Sequence, residues 1–535
     1  MRPKILVIGL DAATMGLIRP WAGAGHLPAL GAIMRDGAHG ELISTPNMHS
    51  ASAWTSILTG LNPGRHGLFV FSDRDFATGR QLFFKGGDRD GRIISSYLAR
   101  QGLTAGLLNV PMTYPAECDE GGYMISGLDA PALDQRAFCP VELREEVLRR
   151  FPDYCFSPPG LGDLMRGGRL DEAVGAWLKL VETQTAVAEY LIEARPVDFF
   201  MTVYTASDWG GHNLWKLIES GDNPLLSIYR SLDLAIARLI ARAGSDTQIY
   251  VISDHGMGPH TGASYHLARW LEERGYMVRR GGKDRKAALI DAGRRVARNI
   301  LPVSVREKVK TGMGAERLKR IQTTEKDSFY SSIDWQRTTA YTEPGRHVVN
   351  INLAGRNQSG VVGQGEYDAV CIDLIQELKD WKDSRGVPFV ERVARKDEVY
   401  SGQYAERASD LYVYWNPKAD AGDPPEEVRA RGFWWSGDHR PEGILFCRGR
   451  GVLKGIEFGG ASVYDLLPTI LYLAGLPVPS DLDGQVIRNV CTEEFLAENP
   501  VRLESAGERA SKESVRLSDS EEGMVEEKLR GLGYL

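Results

Sequence analysis

The stretch Ile5-Leu6-Val7-Ile8-Gly9-Leu10, followed at once by Asp11, decides how the rest of the chain is read. Six consecutive positions without a polar side chain leave no face for water, so the run predicts a strand covered on both sides, as in a parallel sheet. Comparable runs occur at Asp198–Tyr204, Gln248–Ser253, Leu411–Tyr414 and Gly443–Cys447. Between them the apolar period changes. From Val174 onward, Trp177, Leu178, Val181, Ala188, Leu191 and Ile192 share one helical face, and Pro224 opens a second helix with Ile228, Leu232, Ala235 and Leu239 inward. Strands separated by helices of this length predict an α/β fold, a mostly parallel central sheet with helices on both faces.

Composition bounds the function. The 535 residues are 43% hydrophobic and 25% charged, which excludes wholesale disorder and a fibrous architecture. A net charge of −7 supplies no global field for nucleic acid or anionic membranes, so no sequence-specific nucleic-acid binding is expected. No apolar stretch approaches the roughly 18 residues of a membrane span, and the start, MRPKILVIGLDAAT, has no long apolar leader. Six scattered cysteines (Cys118, Cys139, Cys155, Cys371, Cys447 and Cys491) without CxxC spacing predict a cytoplasmic protein with reduced thiols.

The predicted organisation is a catalytic core over residues 1–275 and 401–490, a basic inserted segment at 276–330, an accessory α+β segment at 331–400 and a polar tail at 491–535 whose last turn docks. Arg279 to Arg320 holds fourteen Lys/Arg against four Asp/Glu and predicts a solvated helical face. In the accessory segment, Ile372, Ile375, Leu378 and Trp381 form an amphipathic helix between extended stretches near Val348–Asn352 and Val387–Val393.

Chemistry enters through the residues just past the strands. Asp11 follows the first run, Asp208 and His212 follow the run ending near Tyr204, and Asp254 with His255 follow the run ending near Ser253. In an open parallel sheet the carboxyl ends of the strands form the crevice where ligands bind, so these loops converge. His439 precedes the run Gly443–Cys447 and completes three aspartates and three histidines. A mixed oxygen and imidazole set suits Zn²⁺ or Mn²⁺ better than Ca²⁺, and six ligands exceed what one open catalytic zinc takes. Two divalent cations are therefore expected. Singly, each aspartate reads equally well as a helix cap or turn former.

The stretch from Asn47 to Gly60 runs from a loop into a short helix with Ser50 at its amino edge, where free N–H groups favour an anion. A hydroxyl there becomes a nucleophile when a base or metal lowers its pKa. Ser52, Thr55 and Ser56 qualify on similar grounds, as does an ordinary serine cap.

Taken together, GLDAATMGLI, AWTSILTGLNPGRHG, LLNVPMTYP, the DxxxH of Asp208–His212, SDHGMGPH, GDHRPEGILF, YDLLPTILYLAGLP and LRGLGYL occur in an order that resembles the alkaline phosphatase superfamily, in its type I phosphodiesterase/nucleotide pyrophosphatase branch of bacterial and archaeal phosphohydrolases. The resemblance implies an alkaline-phosphatase-like three-layer sandwich. It also implies Asp208, His212 and His439 at one metal, Asp11, Asp254 and His255 at the other, and Ser50 as the nucleophile bridging them. Ser50-Ala51-Ser52-Ala53 departs from the proline-rich sequence usual after that nucleophile. The sulfatases of the superfamily carry Pro and Arg two and four residues past their nucleophile, where Ser52 and Trp54 stand here. The phosphoglycerate mutases carry a different serine motif.

The implied reaction is hydrolysis of a small-molecule or conjugated phosphoester, with a diester preferred, through a phospho-serine and two cations roughly 4 Å apart. Asn109, after another predicted strand, is a candidate donor to a phosphate oxygen. His49, His66, His260, His266 and Arg440 lie close enough in sequence to reach the pocket. A phosphomonoesterase or phosphotransferase using the same site, and a metal-binding interaction module without turnover, are the rival readings.

Overall fold

A computed structural model of the chain describes residues 2–219, 221, 223–280, 329–425, 435–505 and 516–532. The basic stretch expected at Arg279–Arg320 lies, from residue 281 on, outside the described residues.

Among the described residues, nine strands form the main sheet in the order Ile456–Ser462, Ala38–Ile43, Glu442–Arg448, Gln248–Ile252, Ile5–Leu10, Phe199–Tyr204, Ala105–Val110, Tyr123–Ser126 and Phe138–Cys139. Ile5–Leu10 pairs in parallel on both sides, Ile5 opposite Phe199 and Gln248. Every residue of this central strand is buried. Its side chains alternate between two cores. Leu6, Ile8 and Leu10 pack with the helices Met15–Gly23, Pro28–Asp36, Leu170–Ala194 and Pro224–Ala243, while Ile5 and Val7 face Ser50–Thr59, Ile94–Arg100 and Leu466–Leu473. The result is the three-layer α/β sandwich that a strand without a polar face requires.

The helices begin as their sequences dictate. Pro224 occupies the first turn of its helix and the Asn223 side chain accepts the Leu226 N–H at 3.0 Å, satisfying a donor that has no intrahelical partner. In Leu170–Ala194 the residues Trp177, Val181, Ala188, Leu191 and Ile192 are buried as expected, and Leu178 is half-buried.

Two strands run against the rest. Glu442–Arg448 is antiparallel to both its neighbours, and Phe138–Cys139 closes the far edge antiparallel to Tyr123–Ser126. The first reversal matters for function, because the amino end of Glu442–Arg448 lies on the rim formed by the carboxyl ends of the parallel strands.

Leu411–Tyr414, expected among the runs of the main sheet, belongs elsewhere. It forms Leu411–Trp415 in a separate antiparallel sheet of order Ala340–Tyr341, Val348–Ile351, Leu411–Trp415, Val390–Arg395, backed by the helix Tyr367–Asp380. An apolar run records burial but not the sheet that buries it, and the accessory sheet extends past residue 400 for this reason. The thiol expectation also changes. Cys118 and Cys139 form a disulfide with a Cα–Cα distance of 5.8 Å. The antiparallel edge pairing places Cys139 opposite Met124 and so beside the loop that carries Cys118, a proximity that cysteine spacing does not encode. The cytoplasmic placement loses the support of uniformly reduced thiols.

The tail docks through the helix Asp519–Leu532, which buries Val525, Leu529 and Leu532. No helix among the described residues is long and apolar enough to cross a membrane.

Candidate active site

The rim of the sheet assembles the predicted residues from five loops. Asp11 stands one residue past Leu10, Asp254 and His255 follow Ile252, and Ser50 opens the helix reached from Ala38–Ile43. Asp208 and His212 lie four residues apart on the helix Ala206–Leu214 after Phe199–Tyr204, a spacing that puts both on one face. His439 sits on the strand Gly437–Arg440, which pairs with Gly256–Pro259 so that His439 opposes Met257. Asp11, Ser50, Asp208, His212, Asp254 and His255 are buried, and the His439 side chain is 12% exposed.

The side chains meet in two groups. Ser50 Oγ lies 3.3 Å from Asp11 Oδ1 and 3.2 Å from His255 Nε2, with Asp254 Oδ2 3.4 Å from the same nitrogen. Asp208 Oδ1 lies 3.3 Å from both His212 Nε2 and His439 Nε2. One possible ligand atom from each of Asp11, Asp254 and His255 falls within 4.8 Å of the others, and the same holds for Asp208, His255 and His439, so His255 stands between the groups.

Histidine tautomers are set by what touches Nδ1. His212 Nδ1 is 3.0 Å from Gly437 O, His255 Nδ1 3.1 Å from Gly256 O and His439 Nδ1 2.7 Å from Met48 O. A carbonyl only accepts, so each ring carries a proton on Nδ1 and turns Nε2 inward, and His255, which burial keeps neutral, presents a bare Nε2. His49, His66 and His260 are the opposite. Their Nδ1 atoms accept the N–H groups of Ala51, Leu68 and Gly262, which leaves the proton on Nε2. Burial keeps these rings neutral, holding His66 at about 3, His260 at about 4 and His49 well below the ordinary imidazole value. His66 then donates to Ser56 Oγ at 3.0 Å, inside the helix Ser50–Thr59.

This donor set fits divalent cations. The Nε2 atoms of His212 and His439 stand 2.9 Å apart and each lies 3.3 Å from Asp208 Oδ1, so three ligand atoms converge on one point as they would around a cation. Asp254 Oδ2 is buried with no hydrogen-bond partner among the described residues. Burial and then the neighbouring charge of Asp254 push the Asp11 carboxyl well above its usual range, and burial pushes Asp254 up to about 7. At Asp208 burial acts in the same direction, but His212 and His439 outweigh it and hold the carboxyl low. Burial, then His439, keeps His255 well below its ordinary value.

The surrounding structure aims these groups. Asp11 Oδ2 accepts the Trp54 indole N–H at 3.1 Å, and Gly9 makes this possible because a Cβ there would lie 2.5 Å from the Trp54 ring. Asp254 Oδ1 accepts the Ala12 N–H at 3.2 Å. Ala12, Met48 and Asn109 all have left-handed backbones, with φ of 57°, 48° and 59°. Such conformations cost of order 1–3 kcal/mol each in non-glycine residues and cluster where loops are held for function. Gly437 packs so closely on the Asp208–His212 helix that a Cβ would lie 2.2 Å from Gly211 O.

The remaining candidates separate clearly. Ser52 Oγ bonds Asn47 Oδ1 and His49 O at 2.8 Å each and Thr45 Oγ at 2.9 Å, so it braces the loop. Asn109 accepts the Tyr154 hydroxyl through Oδ1, while its buried Nδ2 has no hydrogen-bond partner among the described residues. Arg440 spends its guanidinium on His439 O and Pro259 O, and His266 on Asp423 O. Sequence reasoning missed Trp54, the carbonyl acceptors behind the imidazoles, and Trp435, whose ring stacks on His212 at 3.6 Å between centroids. The glycines and indole beside the motifs were a signal for the first two.

A family model described as type I phosphodiesterase / nucleotide pyrophosphatase matches residues 5–439. The chain belongs to that family. Nucleotide pyrophosphatases/phosphodiesterases of this type are phosphoester hydrolases. Two solved structures share the fold. A murine ectonucleotide pyrophosphatase/phosphodiesterase 5, an inactive variant in complex with AMP, has a TM-score of 0.50 and 12% identity over 92% of this chain and 100% of its own. Phosphonoacetate hydrolase from Sinorhizobium meliloti 1021, in complex with phosphonoformate, has a TM-score of 0.51 and 15% identity over 87% of this chain and 94% of its own. Comparison with curated proteins found no match.

Proposed function

We propose that this member of the family is a two-cation phosphoric ester hydrolase of the phosphodiesterase/nucleotide pyrophosphatase type, acting through a phospho-serine at Ser50. The observation that carries the reading is the Ser50 hydroxyl at a helix amino end, 3.3 Å from Asp11 Oδ1 and 3.2 Å from a bare His255 Nε2. Asp208, His212 and His439 would hold one cation and Asp11, Asp254 and His255 the other, Zn²⁺ first by donor chemistry and Mn²⁺ second. When bound, the cations lower the pKa of the serine hydroxyl and neutralise charge on the phosphoryl oxygens.

Ser50 gives up its hydroxyl proton to solvent, and Oγ attacks phosphorus in line with the leaving oxygen. The Oγ–P bond forms as the ester P–O bond breaks, and the leaving oxygen takes its proton from solvent. Water then attacks from the vacated side, the Oγ–P bond breaks and Ser50 regains its proton. Two inversions retain configuration at phosphorus. The positive end of the Ser50–Thr59 helix dipole favours the negative charge that gathers there. The Nδ2 of Asn109, buried and without a partner among the described residues, is the donor to a non-bridging oxygen. AMP, a phosphate monoester, in one fold relative and phosphonoformate, a phosphonate, in the other are small phosphorus oxyanions, and small phosphoesters are the first class to assay.

The test combines metal analysis of protein kept from chelators with nitrophenyl mono- and diester assays of the wild type and Ser50→Ala. Two cations per chain and a diesterase activity that the variant lacks are expected. Fewer than two cations, or full activity in Ser50→Ala, overturns the reading.

A further inference from the structure

His439 is placed by its neighbour. Asp438 is buried, and its Oδ1 accepts the His439 backbone N–H at 2.9 Å and His347 Nε2 at 3.1 Å. The Nδ1 of His347 has no hydrogen-bond partner among the described residues, so nothing competes for the ring proton that the bond from Nε2 to Asp438 requires. On the other side, His260 Nε2, which carries the proton because Nδ1 accepts the Gly262 N–H, stands 3.7 Å from Asp438 Oδ2. His260 Nε2 is nearer to Ser264 Oγ, at 3.3 Å, and Asp438 Oδ2 has no hydrogen-bond partner among the described residues, so the bond from His347 is the anchor that holds Asp438 against the His439 N–H.

The anchor spans two parts of the fold. Asp438 stands on the strand Gly437–Arg440, which pairs with Gly256–Pro259 in the layer that carries Asp254 and His255. His347 leads into Val348–Ile351 of the accessory sheet, and its carbonyl accepts the Val413 N–H at 2.8 Å from the next strand. The same sheet reaches the nucleophile loop. Tyr414 OH of that sheet donates to Pro46 O at 2.8 Å, and Tyr400 OH, from the connection between Val390–Arg395 and Leu411–Trp415, to Asn47 Oδ1 at 3.2 Å, one residue before the Met48 carbonyl that fixes the His439 ring. Both ends of the His439 side chain's frame, Asp438 and Met48, are thus held from the accessory sheet.

Resting on the two-cation reading above, we infer that His347 is a positioning residue, which acts through Asp438 to aim His439 at the cation it shares with Asp208. Removing the His347 imidazole leaves a buried carboxylate short of a donor, and the strand Gly437–Arg440 relaxes to find another. The effect falls on one cation of the two.

The experiment measures zinc binding by the full chain in competition with a chromogenic chelator, with melting of the zinc-free protein as the second readout. His347→Ala is expected to weaken one of two zinc ions about 10–100-fold, the range for outer groups that orient a ligand, while the other ion and zinc-free melting stay as in the wild type. His347→Gln, which returns an N–H near the Nε2 position, restores most of that loss. Unchanged affinity for both ions in His347→Ala, or a loss that only follows lower zinc-free melting, overturns the inference. Wild-type protein that binds no zinc sinks the two-cation reading and this inference with it, a result distinct from either.

Discussion

His212 and His439 face each other across 2.9 Å through their Nε2 atoms, with each Nδ1 against a backbone carbonyl. Neither ring can turn over without losing its carbonyl, so the opposition is built in. A cation held by both nitrogens and by Asp208 would lock this arrangement, which gives the first expectation. Metal-free protein should melt below the zinc-loaded protein, by about 2–3 °C for each site at zinc a hundredfold above Kd, from ~2.7 kcal/mol of linkage at roughly 1 °C per kcal/mol for a chain of 535 residues. Superimposable melting curves with and without zinc would count against any cation here.

Ser50 and Ser52 are separated by partners rather than by sequence. Ser50→Ala should abolish turnover, by 10³-fold or more, with zinc content and melting temperature preserved. Ser52→Ala removes bonds to Asn47, His49 and Thr45. It should lower stability by about 1–3 kcal/mol, the cost of leaving buried partners unsatisfied, and reduce activity only partly. The opposite pattern in paired assays of turnover and melting would move the nucleophile to Ser52.

Gly437 sits where a Cβ would meet Gly211 O at 2.2 Å. Gly437→Ala should push the Asp208–His212 helix from its seat at a cost of about 1–3 kcal/mol, and release one zinc in preference to the other. Retention of both ions with wild-type affinity would show that the helix yields without cost.

Asp254 supplies the pH dependence. Its folded-state pKa is raised, to about 7 by burial, so ionisation is disfavoured in the folded metal-free chain. The penalty is absent below the unfolded carboxyl value near 4, grows as pH rises and is complete above about 7. In zinc-free protein, Asp254→Asn should therefore raise the melting temperature at pH 8, and the gain should vanish toward pH 4. With zinc present the variant should be the less stable of the two. A pH-independent gain in the zinc-free state would assign the effect to packing instead.

Much of this site was legible because Asp11, Asp208, Asp254 and His255 follow strands whose apolar runs are unmistakable, and parallel strands end on one rim. His439 was legible only through its neighbours in sequence, since it precedes a strand running the other way. Leu411–Trp415 misled because a buried run looks the same in any sheet. The bond from His347 to Asp438 and the carbonyls behind the imidazoles were hidden for a different reason: they arise where separately folded layers touch, and no local pattern encodes that meeting. The link between Cys118 and Cys139 belongs with them.

The reversed strand Glu442–Arg448 also governs timing. Met48 and His439, which meet through a 2.7 Å bond, are 391 residues apart, so roughly 20–80 s of translation separates their synthesis at 5–20 residues per second. For the last part of that interval, once Asp254 is made, the nascent chain has its serine and its aspartates but neither the last imidazole nor the strand that fills the gap between Ala38–Ile43 and Gln248–Ile252. A premature stop between Ile252 and His439 yields a polypeptide with an open seam in its sheet, lacking His439 and exposed to pairing with other chains.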